Sequence, residues 1–243
     1  MINLKKVSLV AITSVQHLPT IEALRYSAKD INFGEVLFFS EKDPCPNETF
    51  FRHIKTKKFT NVSEWGEFVI FELHKFINTP YIILIHADGF IVNPSKWTNK
   101  FLKYDYIGSP WAESLHPIAF KDANGNNCRV GNSVSLRSKK ILELPTKLNL
   151  RWGDFILNLP HEDGFLCAQH KVLLESKGIK FAPLEIAVHF GREYQLPENI
   201  GISPFLFHKW QGENKYFPNF LNEKIHDKYL KFFKKFISKL CKL

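Results

Sequence analysis

An imidazole and a carboxylate, His86 and Asp88, directly follow the apolar run Tyr81–Ile85. Four of the five residues in this run are branched aliphatics, which predicts a strand that is buried on both faces. In an α/β sheet, ligands bind at the carboxyl ends of such strands. Residues two apart on an extended chain point to one side, so His86 and Asp88 could hold a divalent cation against an anionic ligand. An ordinary strand that ends in polar residues before a turn at Gly89 is the other interpretation.

A second acidic pair, Glu162 and Asp163, precedes a helical pattern that runs from about Phe165 to Lys177. A carboxylate at the start of a helix can face a cleft and accept a proton from a substrate hydroxyl. A purely electrostatic role is also open, because acidic residues in a first helical turn complement the helix dipole by ~0.3–1 kcal/mol each.

Alternating strand and helix patterns must position these side chains. Candidate strands cover Val7–Ile12, Glu35–Ser40, a weak Phe59–Val62, Tyr81–Ile85, Tyr104–Gly108, Lys180–Ala182 and Ala187–Phe190. Candidate helices cover Thr20–Lys29, Ser63 to about Phe76 with Ser63 as N-cap, Trp97–Leu102, and a helix that starts at Ser138. The β-α-β-α-β order of the first half predicts an α/β fold, a single Rossmann-like domain with a mixed, mainly parallel central sheet.

The composition is that of an ordinary soluble globular protein, with 44% hydrophobic and 23% charged residues among 243. No apolar run reaches the ~18 residues of a membrane-spanning helix, and no signal-peptide pattern follows Met1. The four cysteines are scattered without a Cys-x-x-Cys pair, which predicts reduced thiols and a cytoplasmic location.

The net charge of +9 is concentrated at the C-terminus, where residues 222–243 hold seven lysines but only two acidic residues. Apolar side chains recur there at helical spacing: Tyr229, Phe232, Phe233, Phe236, Ile237 and Leu240. We therefore expect a basic amphipathic helix over 219–243, appended to a domain over 1–218. Such a helix can lie on an anionic membrane surface, or it can dock its apolar face on its own domain.

Four motifs then occur in a recognisable order: Asp105–Trp111 (DYIGSPW), Val130–Arg137 (VGNSVSLR), Glu162–Asp163, and Pro204–Lys209 (PFLFHK). Together with His86-Ala87-Asp88, they resemble the GT-A class of nucleotide-sugar glycosyltransferases. More closely, the chain is similar to a bacterial group catalogued as a domain of unknown function, over about Val7 to Trp210.

The resemblance implies a divalent cation, Mn²⁺ or Mg²⁺, on the diphosphate of the donor. The class uses an Asp-x-Asp motif, but His86 stands at its first position, so only Asp88 carries over as a carboxylate ligand. Imidazole suits Mn²⁺ better than Mg²⁺. His208 matches a C-terminal histidine that completes the metal site in the class, although a histidine packed beside Trp210 would look the same in the sequence.

Seven residues are expected to contact the donor at its nucleotide, phosphates or sugar: Thr13, Ser40, Asp88, Gly131, Asn132, Arg137 and Lys209. Thr13 and Ser40 end the first two strands, where the class binds the nucleotide. Arg137 or Lys209 could stabilise the leaving diphosphate without a metal. Gly131 would let the backbone approach a sugar, or it forms a tight hairpin or bulge.

In inverting members of the class, the motif that Glu162 and Asp163 match supplies the general base, and we favour Asp163. The chain is thus predicted to be a glycosyltransferase that transfers a sugar from a nucleotide-sugar donor to a glycan or lipid-linked acceptor. We expect inversion of stereochemistry, a role in surface polysaccharide biosynthesis, and peripheral attachment to the inner face of the cytoplasmic membrane.

Two other classes of function remain open at this point. A metal-dependent hydrolase or nucleotidyltransferase could use the same His86, Asp88 and His208. The basic net charge is also typical of nucleic-acid-binding proteins. The sequence carries no helix-turn-helix or RNA-binding signature, however, and its charge is concentrated on a segment with an apolar face. We therefore expect a nucleotide-sugar donor and no nucleic acid as partners.

Overall fold

The structure is a computed structural model, and it describes residues 1–113, 120–153, 155 and 160–221. The helix predicted over 219–243 falls almost entirely on residues 222–243, outside the described residues, so it stays a prediction. None of the helices within the described ranges is long and apolar enough to cross a membrane.

A six-stranded sheet forms the centre of the fold, with the strand order β3-β2-β1-β4-β6-β5. Its strands are β1 (Ile2–Ile12), β2 (Ile31–Ser40), β3 (Arg52–Lys55), β4 (Tyr81–Ile85), β5 (Tyr106–Pro110) and β6 (Val130–Ser138). Strands β1 to β4 pair in parallel, whereas β6 runs antiparallel to both of its neighbours. The predicted mixed, mainly parallel α/β sheet is therefore confirmed.

Strand β4 is buried on both faces, as its run of aliphatic residues predicts. Ile83 and Ile85 pack into an apolar cluster that includes Leu24, whereas Ile82 and Leu84 pack into a second cluster on the other side. The alternation follows from the pleat of a strand, which sends successive side chains to opposite faces. Burial of this kind leaves the polar residues after Ile85 at the edge of the sheet.

Helices cover the sheet and the segments beyond it. They are α1 (His17–Ala28), α2 (Val62–Phe71), α3 (Lys139–Lys147), α4 (Glu162–Gly164), α5 (Lys171–Ser176) and α6 (Leu184–Phe190). A π-helical turn over Phe165–Gln169 joins α4 to α5, and two short parallel strands follow α6, namely β7 (Gly191–Arg192) and β8 (Leu206–Phe207). Single 3₁₀ turns lie at Leu73–Phe76, Pro94–Lys96, Asn99–Lys103, Pro197–Asn199 and Gly212–Tyr216.

Several local predictions were wrong. Phe59–Val62 is not a strand, because Asn61 accepts the backbone N–H of Glu64 at 2.9 Å and starts α2 there, two residues before the predicted cap. Ala187–Phe190 belongs to α6 rather than to a strand. A short apolar run does not distinguish a strand from a buried helix, and the packing of the rest of the chain decides between them.

Candidate active site

The turn after β4 brings the two predicted ligands into position. His86 donates its backbone N–H to the carbonyl of Gly89 at 2.7 Å, and Gly89 donates to the carbonyl of His86 at 3.2 Å. A Cβ at Gly89 would lie 2.7 Å from Cδ2 of His208, so the glycine allows that ring to approach. The backbone N–H of Lys209 donates to the carbonyl of Asp88 at 2.7 Å, which fastens the segment after β8 to this turn.

As a result, His86, Asp88 and His208 form one cluster. Oδ1 of Asp88 lies 3.6 Å from Nε2 of His208 and 3.9 Å from Nδ1 of His86. One ligand atom from each residue lies within 4.8 Å of the others, and no other such group of three occurs among the described residues. Two imidazoles and a carboxylate are a donor set that suits Mn²⁺ better than Mg²⁺. The residues therefore fit a divalent transition-metal cation.

The protonation states of His86 and Asp88 also fit a cation. Burial, followed by the electrostatic effect of His208, lowers the pKa of His86 to about 4, so its ring is neutral at pH 7. Burial by itself would raise the pKa of Asp88, but His208 and Lys209 outweigh it and hold that pKa below its usual range. The neutral imidazole of His86 and the ionised carboxylate of Asp88 can therefore bind a metal without first losing protons.

Trp65 is a neighbour of the cluster that the sequence did not indicate. Its ring meets the ring of His86 edge to face, with centroids 5.3 Å apart, and the ring of His208 packs against His86 at 5.4 Å. The indole Nε1 of Trp65 donates to the carbonyl of Ile12 at 3.1 Å, at the end of β1. The imidazole of His86 is therefore held between two rings.

Glu162 and Asp163 lie in different environments although they are adjacent. Glu162 is fully buried, and it accepts hydrogen bonds from Nη2 of Arg137 at 2.7 Å and from Oγ of Ser133 at 3.1 Å. Burial would raise the pKa of Glu162, but the charge of Arg137 outweighs it, so the pKa is lowered. Both carboxylate oxygens are thus engaged inside the protein, which suits a structural role better than contact with an acceptor.

Asp163 is half-buried, and its Oδ1 accepts the N–H of Gly164 at 2.9 Å. Burial, followed by the negative charge of Glu162, raises the pKa of Asp163 to about 6. The charge of Glu193 acts in the same direction. A carboxylate whose pKa lies close to neutral pH is well matched to general base catalysis.

The side chain of Arg137 is engaged in contacts inside the protein. It is fully buried, its Nε donates to Oγ of Ser135 at 2.9 Å, and its Nη2 donates to Glu162. The guanidinium also lies over the ring of Tyr106, 5.4 Å from the centroid. These contacts join β6 to the first residue of α4, one position before Asp163.

Gly131 and Asn132 serve close packing at the start of β6. A Cβ at Gly131 would lie 1.9 Å from the ring of Trp111, and a Cβ at Gly108 would lie 1.7 Å from the carbonyl oxygen of Gly131. Asn132 is buried with a φ of 106°, an unusual value for a residue with a side chain. Its Oδ1 accepts the N–H of Val134 at 2.9 Å. Gly131 therefore allows close packing of the backbone, whereas Asn132 also contributes its side-chain amide, whose Nδ2 donates to Glu193 at 2.6 Å.

Thr13 and Ser40 lie at the same edge of the sheet as His86, because Ile12 pairs with Phe39 and β4 runs parallel beside β1. Oγ1 of Thr13 accepts the N–H groups of Val15 and Gln16, each at 3.2 Å. Ser40 is fully buried, and its Oγ donates to the carbonyl of Lys42 at 2.5 Å. Both hydroxyls are engaged in local hydrogen bonds.

Glu193 also belongs to the site, although no motif in the sequence indicates it. It is 5% exposed, its Oε2 accepts Nδ2 of Asn132 at 2.6 Å, and its Oε1 pairs with the ammonium of Lys209. Burial would lower the pKa of Lys209, but the charge of Glu193 outweighs it and raises that pKa. No local pattern marks Glu193, since its partners lie 16 and 61 residues away.

Three solved structures are similar in part to this chain, which spans about half the length of each. A crystal structure of S. aureus TarS 1–349 with UDP-GlcNAc shares 12% identity over 60% of this chain and 48% of that chain, with a TM-score of 0.40. The apo glycosyltransferase GlyE of Streptococcus pneumoniae TIGR4 shares 11% over 86% and 56%, with a TM-score of 0.44. The bifunctional IspDF of Campylobacter jejuni shares 8% over 75% and 49%, with a TM-score of 0.39.

No protein of curated function matches this sequence. A family model does match, over residues 49–208, a range that runs from before β3 to His208 and includes Asp88 and Asp163. Since this range is well over half of the 243 residues, the chain belongs to the family described as "Protein of unknown function (DUF5672)".

Proposed function

We propose that this protein is a cation-dependent glycosyltransferase that moves a sugar from a nucleotide-sugar donor to a hydroxyl group of a glycan or lipid-linked acceptor. One observation carries the proposal. The pKa values of two carboxylates are shifted in opposite directions. The pKa of Asp88 is lowered within a group of candidate metal ligands, and the pKa of Asp163 is raised to about 6. Such a divergence is how one site separates an ionic role from an acid–base role.

In this proposal, His86, Asp88 and His208 hold the cation, whose charge would stabilise the nucleoside diphosphate as it leaves. Lys209 adds a second positive charge near Asp88: its ammonium is paired with Glu193, and its charge helps to lower the pKa of Asp88. A fixed positive charge close to the leaving group stabilises the charge that develops in the transition state.

Asp163 acts as the general base. It takes the proton of the acceptor hydroxyl while that oxygen forms a bond to the anomeric carbon, and the bond from this carbon to the diphosphate oxygen breaks. A single displacement of this kind inverts the anomeric configuration. Glu162 and Arg137 contribute by holding α4, and therefore Asp163, in place.

A metal-dependent hydrolase or nucleotidyltransferase could use the same three ligands, so the products of the reaction must decide. The protein should be incubated with a panel of nucleotide sugars, Mn²⁺ and simple glycan acceptors, and the released nucleotide identified by chromatography. Release of a nucleoside diphosphate that depends on an acceptor supports the transferase. Release of a nucleoside monophosphate, or binding of no nucleotide sugar at all, overturns it.

The proposal extends to location and pathway. The basic segment 222–243 would attach the enzyme to the inner face of an anionic membrane, and a lipid-linked acceptor of surface polysaccharide synthesis would be found there. The pattern of lysines and aromatic residues in the sequence supports this part of the proposal.

A further inference from the structure

We infer that Glu193 is a positioning residue of the candidate cation site, which orients His208 so that Nε2 of the imidazole faces Asp88. This inference rests on the cation site of the proposed function, but not on the identity of the donor or of the acceptor. Nothing in the motifs of the sequence assigns a role to Glu193.

The imidazole of His208 lies between two carboxylates. Its Nε2 is 3.6 Å from Oδ1 of Asp88, and its Nδ1 is 3.8 Å from Oε1 of Glu193. Nδ1 is buried and has no hydrogen-bond partner within the described part of the chain. An imidazole that donates a hydrogen bond from its Nδ1–H to a carboxylate keeps the lone pair of Nε2 for a metal. Glu193 faces Nδ1 and is the carboxylate that would accept this hydrogen bond.

The carboxylate of Glu193 is itself held on both oxygens. Asn132, from β6, donates to Oε2 at 2.6 Å, and Lys209 pairs with Oε1. Asn132 has a φ of 106° and Lys209 a φ of 61°, so two partners adopt uncommon backbone conformations while reaching Glu193. Backbone strain of this kind persists only where the surrounding structure enforces it, and it is concentrated at functional sites.

A buried amide joins the two segments that carry Glu193 and His208. Nδ2 of Asn214 donates to the carbonyl of Glu193 at 3.1 Å and lies 3.4 Å from the carbonyl of His208. The N–H of His208 donates to the carbonyl of Arg192 at 2.8 Å. The distance between the carboxylate and the imidazole is therefore set by the backbone, as a positioning role requires.

The test is a double-mutant cycle on Mn²⁺ affinity in the full chain, measured by electron paramagnetic resonance of free Mn²⁺ and by calorimetry. Glu193→Gln should weaken binding by roughly 10–100-fold, the usual cost of losing a partner that orients a metal-binding histidine. In the His208→Ala background, Glu193→Gln should have little further effect, because residues that act through one another are not additive.

Glu185→Gln on the exposed side of α6 is the matched control, since it removes the same charge and should leave Mn²⁺ affinity unchanged. An equal loss from Glu193→Gln with and without His208 would overturn the inference, because a general loss of charge would then explain it. Unchanged affinity in Glu193→Gln would overturn it as well.

A second measurement uses the parent protein, so it does not depend on the folding of a variant. In ¹⁵N spectra of the histidine rings of the parent protein, His208 should carry its proton on Nδ1, and Mn²⁺ should broaden the Nε2 signal first. The opposite tautomer would overturn the inference.

The inference and the proposed function can fail separately. Mn²⁺ binding that depends on Glu193, without any turnover of nucleotide sugars, would leave the inference standing and remove the proposed function. If Glu193→Gln transfers sugar and binds Mn²⁺ as tightly as the parent protein, the inference is overturned and the proposed function stands.

Discussion

Arg137 and Glu162 form an ion pair in which both side chains are fully buried, with 2.7 Å between Nη2 and Oε1. The pair ties β6 to the first residue of α4, one position before Asp163. It therefore connects the central sheet to the candidate base. A buried pair of this kind tolerates the loss of one partner poorly, because the remaining charge is left without compensation.

We expect Glu162→Ala to lower the free energy of unfolding by about 3–5 kcal/mol, measured by urea denaturation. Glu175→Ala is the matched control, since Glu175 pairs with Lys171 on the exposed side of α5. The control should cost at most about 1 kcal/mol. A stable Glu162→Ala protein that has lost all transfer would instead make Glu162 the base.

Asp163→Asn should reduce transfer by roughly 10²–10⁴-fold, because the amide cannot accept the proton of the acceptor. The thermal stability of the protein, by contrast, should not fall in this variant at pH 7. The pKa of about 6 in the folded protein is above the unfolded value, so ionisation of Asp163 costs stability as the pH rises toward 7. The Asn variant should therefore melt at the same or a higher temperature at pH 7, and this gain should vanish near pH 4. A variant that transfers normally but melts earlier would support the helix-dipole role.

The rate of transfer should depend on pH through the same group. As the pH falls through about 6, Asp163 becomes protonated and kcat should decrease. The ring of His86 stays neutral down to about pH 4, so its protonation cannot cause a decrease near pH 6. Residual activity of Asp163→Asn should lack this step. A profile that is flat from pH 5 to 8 in the parent enzyme would contradict the role of Asp163.

Asp88→Asn should weaken Mn²⁺ binding by at least about 100-fold, more than the loss of a residue that only orients a ligand. Calorimetry on the full chain measures this, with circular dichroism to verify the fold. Asp30→Asn is the control, because Asp30 is exposed and lies just before β2, away from the cluster. If Asp88→Asn binds Mn²⁺ as the parent does, the cation site does not contain Asp88.

The basic C-terminal segment offers a test of membrane attachment. Replacement of Lys231, Lys234 and Lys235 by glutamine should weaken binding to anionic vesicles by roughly 3 kcal/mol, since each lysine near such a surface contributes about 1 kcal/mol. High salt should reproduce the loss in the parent protein, and neutral vesicles should bind neither form. Equal binding by both forms would remove the electrostatic attachment.

Much of the fold was predictable from local pattern. The aliphatic run of β4 predicts a strand buried on both faces, and its end places His86 and Asp88 at the edge where ligands bind. Ser138 was predicted to start a helix, and its Oγ accepts the N–H of Ile141 at 3.2 Å in α3. These features depend on residues close together in sequence, so periodicity and capping chemistry reveal them.

The roles inside the acidic pair were not predictable in the same way. Glu162 and Asp163 are adjacent and chemically alike. The difference between their environments depends on Arg137, which lies 25 residues away from Glu162 in the chain. Glu193 carries no local signature either, because it acquires its role from Asn132, His208 and Lys209. The sequence alone determined which residues end the strands. Only the tertiary structure decided which carboxylate lies among the candidate metal ligands and which one has a raised pKa, because burial and charge depend on neighbours that folding brings together.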